Sequence, residues 1–293
     1  MAGGMSVGLL LSARDVRELA DAAGIHPSKQ RGQNFVTDPN TVRTIVDRAG
    51  VVQGQGVLEV GPGLGSLTLG LLEAGADVAA VELDRGLANL LPATLSAHGI
   101  TEDRFRLVHG DALQLDELPT LPRSGHPEVL VANLPYNVAT PILLTVLERF
   151  AEIDRALVMV QSEVVERLVA EPGGRVYGAP SVKLAWYGTA RHAGRISRQV
   201  FWPVPNVDSA LALVQRHEQP LGDEAERART FALVDAAFAQ RRKMLRAALA
   251  GELGGSARTS AVLEAAGVDP TRRGETLTVE DFLAVARAAG GAD

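Results

Sequence analysis

The feature that most restricts this chain is a five-residue loop. An apolar run, Gly56 to Val60 (GVLEV), leads into Gly61-Pro62-Gly63-Leu64-Gly65, and a helical pattern begins near Ser66. A strand that turns over alternating glycines into a helix brings backbone amides and a helix N-terminus to one point, a place for a nucleoside-like ligand. The same turn also serves plain helix packing, so its meaning depends on what surrounds it. Four further strand-like runs follow between helical patterns: Asp77 to Glu82, Phe105 to His109, Glu128 to Asn133 and Arg155 to Val160. This alternation predicts an α/β fold on a parallel sheet. Two later extended runs, Thr189 to Phe201 and Asp208 to Arg216, have no helical pattern between them and predict an antiparallel edge, hence a mixed sheet.

After His217 the texture changes to Ala-rich helix, which places a domain boundary there: residues 1–217 form the sheet domain, with 1–25 as an N-terminal extension, and 218–293 a small helical domain. Within the latter, Phe231, Val234, Phe238, Leu245 and Leu249 predict one helix that carries Arg242, Lys243 and Arg246 on another face and ends at Gly251 to Ser256. A last helix is expected over Thr278 to Ala288, opened by Thr278 and Asp281 in capping-box order. Residues 1 to 12 read as a disordered extension, with Met5 as an alternative start. No internal repeat or low-complexity tract is present.

Composition removes several classes of function. The chain has 293 residues, 46% of them hydrophobic, enough for a full core. Its longest early apolar stretch, Val7 to Leu11, is interrupted by Gly8 and preceded by no basic residue, so neither a signal peptide nor a membrane span is expected and a cytoplasmic location follows by default. The absence of cysteine excludes disulfides, thiolate metal sites and a cysteine nucleophile, including the cysteine-adduct route to pyrimidine methylation; no metal site is expected.

Glu82 ends the second strand 21 positions after Gly61, where a carboxylate can accept both hydroxyls of a ribose. That suits NAD and S-adenosylmethionine alike, and three details separate them. A dinucleotide fingerprint wants a third glycine where Ser66 stands. Glu59 precedes the loop, a carboxylate suited to a sulfonium-bearing amino acid and repellent to a pyrophosphate. Gly110-Asp111-Ala112 follows the third strand, where Asp111 can take an adenine amine. After the fourth strand comes Asn133-Leu134-Pro135-Tyr136, at the carboxyl edge of the sheet. Pro135 fixes its own φ and keeps Leu134 extended, so the Asn133 side-chain oxygen and the Leu134 carbonyl can face one spot. Two acceptors there suit an exocyclic amine: bonded to its protons, they favour a tetrahedral nitrogen with its lone pair aimed at a methyl group. Tyr136 would stack on the base, rotated out of its helix.

These motifs resemble those of the RsmA/KsgA family of rRNA adenine N6,N6-dimethyltransferases. The resemblance rests on Gly32-Gln33-Asn34-Phe35, Leu58 to Gly65, Glu82, Gly110-Asp111-Ala112, Asn133 to Asn137, Phe201 to Ser209 (FWPVPNVDS) and Phe238 to Lys243 (FAQRRK), across about residues 26 to 250. It implies a Rossmann-like seven-stranded S-adenosylmethionine-dependent methyltransferase sheet with a small C-terminal helical domain. It implies cofactor contacts from Asn34, the backbone at Val36, Gly61 and Gly63 in the loop (Gly61 against the methionine portion), Glu82 on the ribose, Asp111 on the adenine, and Asn133 on both cofactor and target amine. The reacting set would be Asn133, Leu134, Pro135, Tyr136 and Phe201, the last giving a second aromatic face opposite Tyr136. Val36 departs from the leucine more usual there, which a backbone contact tolerates. The implied reaction is dimethylation of two adjacent adenines in a hairpin near the 3′ end of 16S rRNA, in the 30S subunit or its precursor, with a part in subunit assembly; the family expectation is a monomer.

The formal charge of −6 argues against a large nucleic-acid partner until its distribution is examined. Between Glu171 and Asp208 the only charged residues are Arg175, Lys183, Arg191, Arg195 and Arg198, and between Asp235 and Glu252 only Arg241, Arg242, Lys243 and Arg246. Such acid-free stretches can hold phosphates, and the second is the expected RNA contact. Lys29 and Arg31 are weaker candidates. Three alternatives stand beside this reading: an Erm-type 23S rRNA methylase with the same motifs, an NAD-dependent oxidoreductase, disfavoured by Ser66 and the lack of a Tyr-x-x-x-Lys pair, and a non-catalytic rRNA-binding assembly factor.

Overall fold

In the computed structural model, which describes residues 10–22, 24 and 34–291, the chain runs through eleven helices and nine strands among the described residues. They are α1 (Ala13–Ala22), β1 (Phe35–Val36), α2 (Pro39–Ala49), β2 (Gly56–Val60), α3 (Ser66–Glu73), β3 (Asp77–Glu82), α4 (Arg85–Ala97), β4 (Phe105–His109), β5 (Val129–Asn133), α5 (Ala139–Arg149) and β6 (Arg155–Gln161). There follow α6 (Ser162–Leu168), α7 (Ala179–Tyr187), β7 (Gly188–Ile196), β8 (Phe201–Trp202), β9 (Ser209–Arg216), α8 (Glu224–Ala239), α9 (Leu245–Ala248), α10 (Ser256–Ala265) and α11 (Val279–Gly290). Met5, Lys29, Arg31, Gly32 and Gln33 lie outside the described residues.

Seven strands form one sheet in the order β4-β3-β2-β5-β6-β9-β7. β2 to β6 pair in parallel, and β9 enters antiparallel to β6, so the sheet is mixed as the sequence predicts. Every residue of β2 and β3 is buried, which is why these strands read as apolar runs: helices cover both faces. α3 is buried from Ser66 to Leu72, and Gly70 leaves no room for a Cβ against Val42 of α2, so the two helices meet at the backbone. From β2 the chain winds outward to β3 and β4, then returns to β5 on the other side of β2. The reversal opens a crevice at the carboxyl ends of β2 and β5, the place where such sheets bind ligands.

The chain divides into two compact units, Met1–Val165 with Arg191–Gln215, and Glu166–Ala190 with Arg216–Asp293. A single cut after residue 217 does not describe this division, because Glu166–Ala190 groups with the C-terminal helices. In that second unit, Tyr177 meets Phe238 edge-on at 6.0 Å and gives its hydroxyl to the Leu277 carbonyl at 2.8 Å, tying the segment to α8 and the start of α11. Aromatic packing that is non-local in sequence leaves no periodic signal, so the grouping had none to read.

Three expectations need correction. The segment read as an extension contains α1, whose Ser12 and Asp15 form reciprocal caps, and Leu10, Leu11, Val16 and Ala20 are buried in the core of the first unit. The run Thr189 to Phe201 is not one strand: β7 ends at Ile196, and β8 pairs instead with β1 in a separate two-stranded sheet, Val36 opposite Phe201. The helix expected to reach Leu249 stops at Ala239. Gln240 leaves helical geometry (φ −120°, ψ 44°), Arg241 donates from Nε to Glu275 at 2.7 Å and from Nη2 to the Arg175 carbonyl at 3.0 Å, and the N–H groups of Leu245 and Arg246 bond the carbonyls of Arg272 and Pro270. These ties reward a turn over a continued helix. The last helix starts as expected, with Thr278 and Asp281 capping each other.

Among the described residues no helix is long and apolar enough to cross a membrane.

Candidate active site

At the crevice beside β2 and β5 lies a cavity of about 730 Å³. Its walls are Asn34 to Val36, Glu59, Gly61 to Leu64, Ser66 and Leu67, Glu82 to Leu87, and Asn133 to Val138. The glycine loop turns as its sequence requires: Gly61, Gly63 and Gly65 have φ of +72°, +59° and +94°, a region that favours glycine. A Cβ on Gly63 would also lie 2.9 Å from the Phe35 ring. Ser66, standing where a dinucleotide loop has its third glycine, donates its hydroxyl to the Val36 carbonyl at 2.7 Å, which fastens the N-terminal segment across the mouth of the loop.

Two carboxyl groups of the lining are buried. Glu59 is 1% exposed and accepts the Thr68 hydroxyl at 2.7 Å; burial pushes its pKa up to about 8, against the Thr68 hydrogen bond and with help from the charge of Glu82. Glu82 accepts the backbone N–H of Gly63 at 3.1 Å and of Asp84 at 2.9 Å, one on each oxygen, which leaves each oxygen a further lone pair. Burial raises its pKa as well, opposed by those two bonds. A cavity lined by three acids, Glu59, Glu82 and Asp84, against one cation, Arg85, and with a helix N-terminus fits a ligand that carries a cation, an amino acid and a ribose better than a pyrophosphate. S-adenosylmethionine matches this donor set.

On the opposite wall the Asn133 Nδ2 donates to the Asn34 carbonyl at 3.0 Å, which fixes the amide and leaves its oxygen as an acceptor. The Leu134 N–H bonds the Met159 carbonyl at 3.1 Å, holding the peptide that carries the Leu134 carbonyl. Tyr136 lines the cavity, half-buried, with its hydroxyl 3.0 Å from Ser209 Oγ; burial raises its pKa against that hydrogen bond, so the phenol stays protonated.

The structure thus brings Asn34, Val36, Gly61, Gly63, Glu82, Asn133, Leu134, Pro135 and Tyr136 to one cavity. It does not bring Asp111 or Phe201 there. Asp111 caps the short turn Ala112–Gln114 by accepting the Leu113 N–H at 2.9 Å, and Phe201 is 2% exposed, packed in the core with no open ring face. Arg241 to Arg246 belong to the second unit. Sequence reasoning passed over Leu83, 68% exposed although apolar, and Arg85, both of which line the cavity; they follow a strand end and open a helix, and no motif marks them.

A Rossmann-like sheet with this strand order and this donor set defines an S-adenosylmethionine-dependent methyltransferase. The profile of the family "Ribosomal RNA adenine dimethylase" matches residues 26–289, and the chain belongs to that family. It is similar to "Ribosomal RNA small subunit methyltransferase A" of Streptomyces griseus, 58% identical over 278 residues (94% of each chain), and to the protein of the same name from Leifsonia xyli, 57% identical over 278 residues (94% of this chain, 98% of the other). Among solved structures, a dimethyladenosine transferase from Plasmodium falciparum shares the fold (TM-score 0.73, 21% identity, 86% of this chain and 95% of the other). The 23S rRNA methyltransferase ErmE is similar at TM-score 0.64 and 26% identity, over 87% of this chain and 99% of the other.

Proposed function

We propose that the enzyme transfers methyl groups to the N6 amines of adenines in 16S rRNA, within the small ribosomal subunit or its precursor. The observation that carries this reading is the locked Asn133 amide, whose oxygen is an acceptor in the cavity that also holds the glycine loop and Tyr136. S-adenosylmethionine, held by Glu82, the loop at Gly61 and Gly63, and the backbone at Asn34 and Val36, supplies an electrophilic methyl group. Asn133 Oδ1 and the Leu134 carbonyl accept the protons of the target amine. Their pull counters delocalisation of the nitrogen lone pair into the base and aims it into the cavity. No strong base is needed, since the methylated nitrogen sheds its extra proton to water. Tyr136 gives the base a stacking face, offsetting the few kcal/mol of rotating it out of its helix.

Arg242, Lys243 and Arg246 are the cations we assign to phosphate; all three are exposed. Arg241 holds the turn against Glu275 instead. The 58% identity to small-subunit methyltransferases, against 26% to ErmE, favours the small subunit as substrate. The same reading puts the enzyme in the cytoplasm, acting as a monomer on assembling particles. The test is transfer of labelled methyl to unmethylated 30S particles, with 50S particles as control and nucleoside analysis of the product. N6,N6-dimethyladenosine on 30S alone is expected. Label on 50S alone would support the Erm-type substrate, and cofactor binding without transfer would support an assembly factor.

A further inference from the structure

We propose that Ser209 is a positioning residue for the reaction, holding the ring of Tyr136 at the place where it receives the target base. The inference rests on the reading of Tyr136 as the stacking face.

Ser209 is fully buried, 0% exposed, and its hydroxyl lies 3.0 Å from the Tyr136 hydroxyl. A buried hydroxyl needs a partner, and a tyrosine held at its far end cannot swing about χ1; the oxygen lies on the χ2 axis, so the bond restrains ring roll only through the preference of a phenol O–H for the ring plane. Ser209 is itself held rigidly. It opens β9 opposite Gln161 of β6, and the residue before it is fastened from both sides: the Asp208 carbonyl accepts the N–H and the hydroxyl of Ser162, each at 3.1 Å, while the Asp208 carboxylate accepts the Arg198 N–H at 2.9 Å. The chain places this anchor 73 residues beyond the tyrosine it holds. The arrangement links the Asn-Leu-Pro-Tyr loop to the far end of the FWPVPNVDS segment without any residue of that segment's end entering the cavity. Without the anchor the ring must be ordered by the incoming base, and the loss falls on the transfer step, since cofactor and phosphate contacts are elsewhere.

The experiment compares Ser209→Ala, Tyr136→Phe and the double variant in single-turnover methyl transfer to saturating unmethylated 30S particles, beside cofactor affinity, particle affinity and thermal midpoint. Each single variant is expected to lower the transfer rate about tenfold, with both affinities within twofold of the parent. The double variant should be no slower than either single, because the two substitutions remove one interaction. Tyr136→Phe keeps the question answerable if Ser209→Ala fails to fold, since it removes the same hydrogen bond from the other side. Losses that multiply in the double variant, or a Tyr136→Phe rate equal to the parent's, would overturn the proposal. Tyr136→Ala is the control for the underlying reading: a parental rate there would remove Tyr136 from the base and overturn both together.

Discussion

Asn133 and Glu59 show how much one side chain's environment decides here. The Asn133 amide is oriented by a carbonyl 99 residues earlier, so its oxygen is committed to accepting before any substrate arrives. Asn133→Ala should lower methyl transfer by about 100-fold or more, as loss of a preorganised polar group at a reacting centre does, while 30S binding measured by particle pelleting stays near the parent value. Equal loss of both would remove the assigned role. Glu59 makes a prediction about pH. In the folded, cofactor-free protein it keeps its proton up to about pH 8, whereas the unfolded chain releases it near 4.5. The folded state therefore binds the extra proton between these values. Glu59's contribution is fully present below about pH 4.5 and is lost as pH rises toward 8, at up to about 1.4 kcal/mol per pH unit. Glu82, whose pKa is also raised, acts in the same direction. Urea unfolding across this range should show Glu59→Gln with a flatter pH dependence than the parent; parallel curves would mean that Glu59 is ionised in the empty site.

The parallel strands β2 to β6 were legible in sequence almost to the residue, and for β2, β3 and β5 the reason is physical: they are covered on both faces, so their apolar runs end where burial ends. β1 and β8 escaped notice because two residues carry no period, and each exists only through the other. Periodicity also misread the C-terminal helix. Leu245 and Leu249 continue the spacing of Phe231 and Phe238, yet the chain turns at Gln240, because partners far in sequence, Glu275 and Arg175, hold Arg241. That turn changes what the basic segment is. Arg242, Lys243 and Arg246 sit on a bend and a single helical turn instead of one long helix face. Arg242→Ala with Arg246→Ala should weaken 30S binding and reduce the slope of log affinity against log salt by about 1.5, near the value for two lost phosphate contacts, with cofactor affinity unchanged. An unchanged slope would place the RNA face elsewhere. Arg241→Ala should act differently, lowering thermal stability through loss of the Glu275 pair more than it alters the salt slope.

For the molecule as a whole, the sheet unit and its cavity were more legible in the sequence than the division of the chain. The cavity's polar residues stand at strand ends, where a carboxylate or an amide after an apolar run is conspicuous; Leu83 and Arg85 have ordinary neighbours, and the contact of Ser209 with Tyr136, although Ser209 closes the FWPVPNVDS segment, is visible only in three dimensions. Asp111 and Phe201 are the reverse case, conspicuous in sequence and outside the cavity walls: one oxygen of Asp111 caps a turn, and Phe201 is packed in the core. Hydrogen exchange would test the separation of tasks. Saturating S-adenosylmethionine should slow exchange at 61–67, 82–87 and 133–138, and 30S particles should slow it at 241–246. Protection of both sets by cofactor alone would contradict an assignment of ligand and phosphate to separate units.

The pairing of β1 with β8 joins residue 36 to residue 201, and Ser66 clasps the same strand to the glycine loop. One wall of the cavity is therefore written near the beginning of the chain and braced by a segment more than 160 residues later. During synthesis the loop, Glu82 and Asn133 all emerge long before that brace. A nascent chain thus carries every polar group of the pocket, and the Ser66 and Asn133 ties to its first-made wall, before the strand that braces that wall exists.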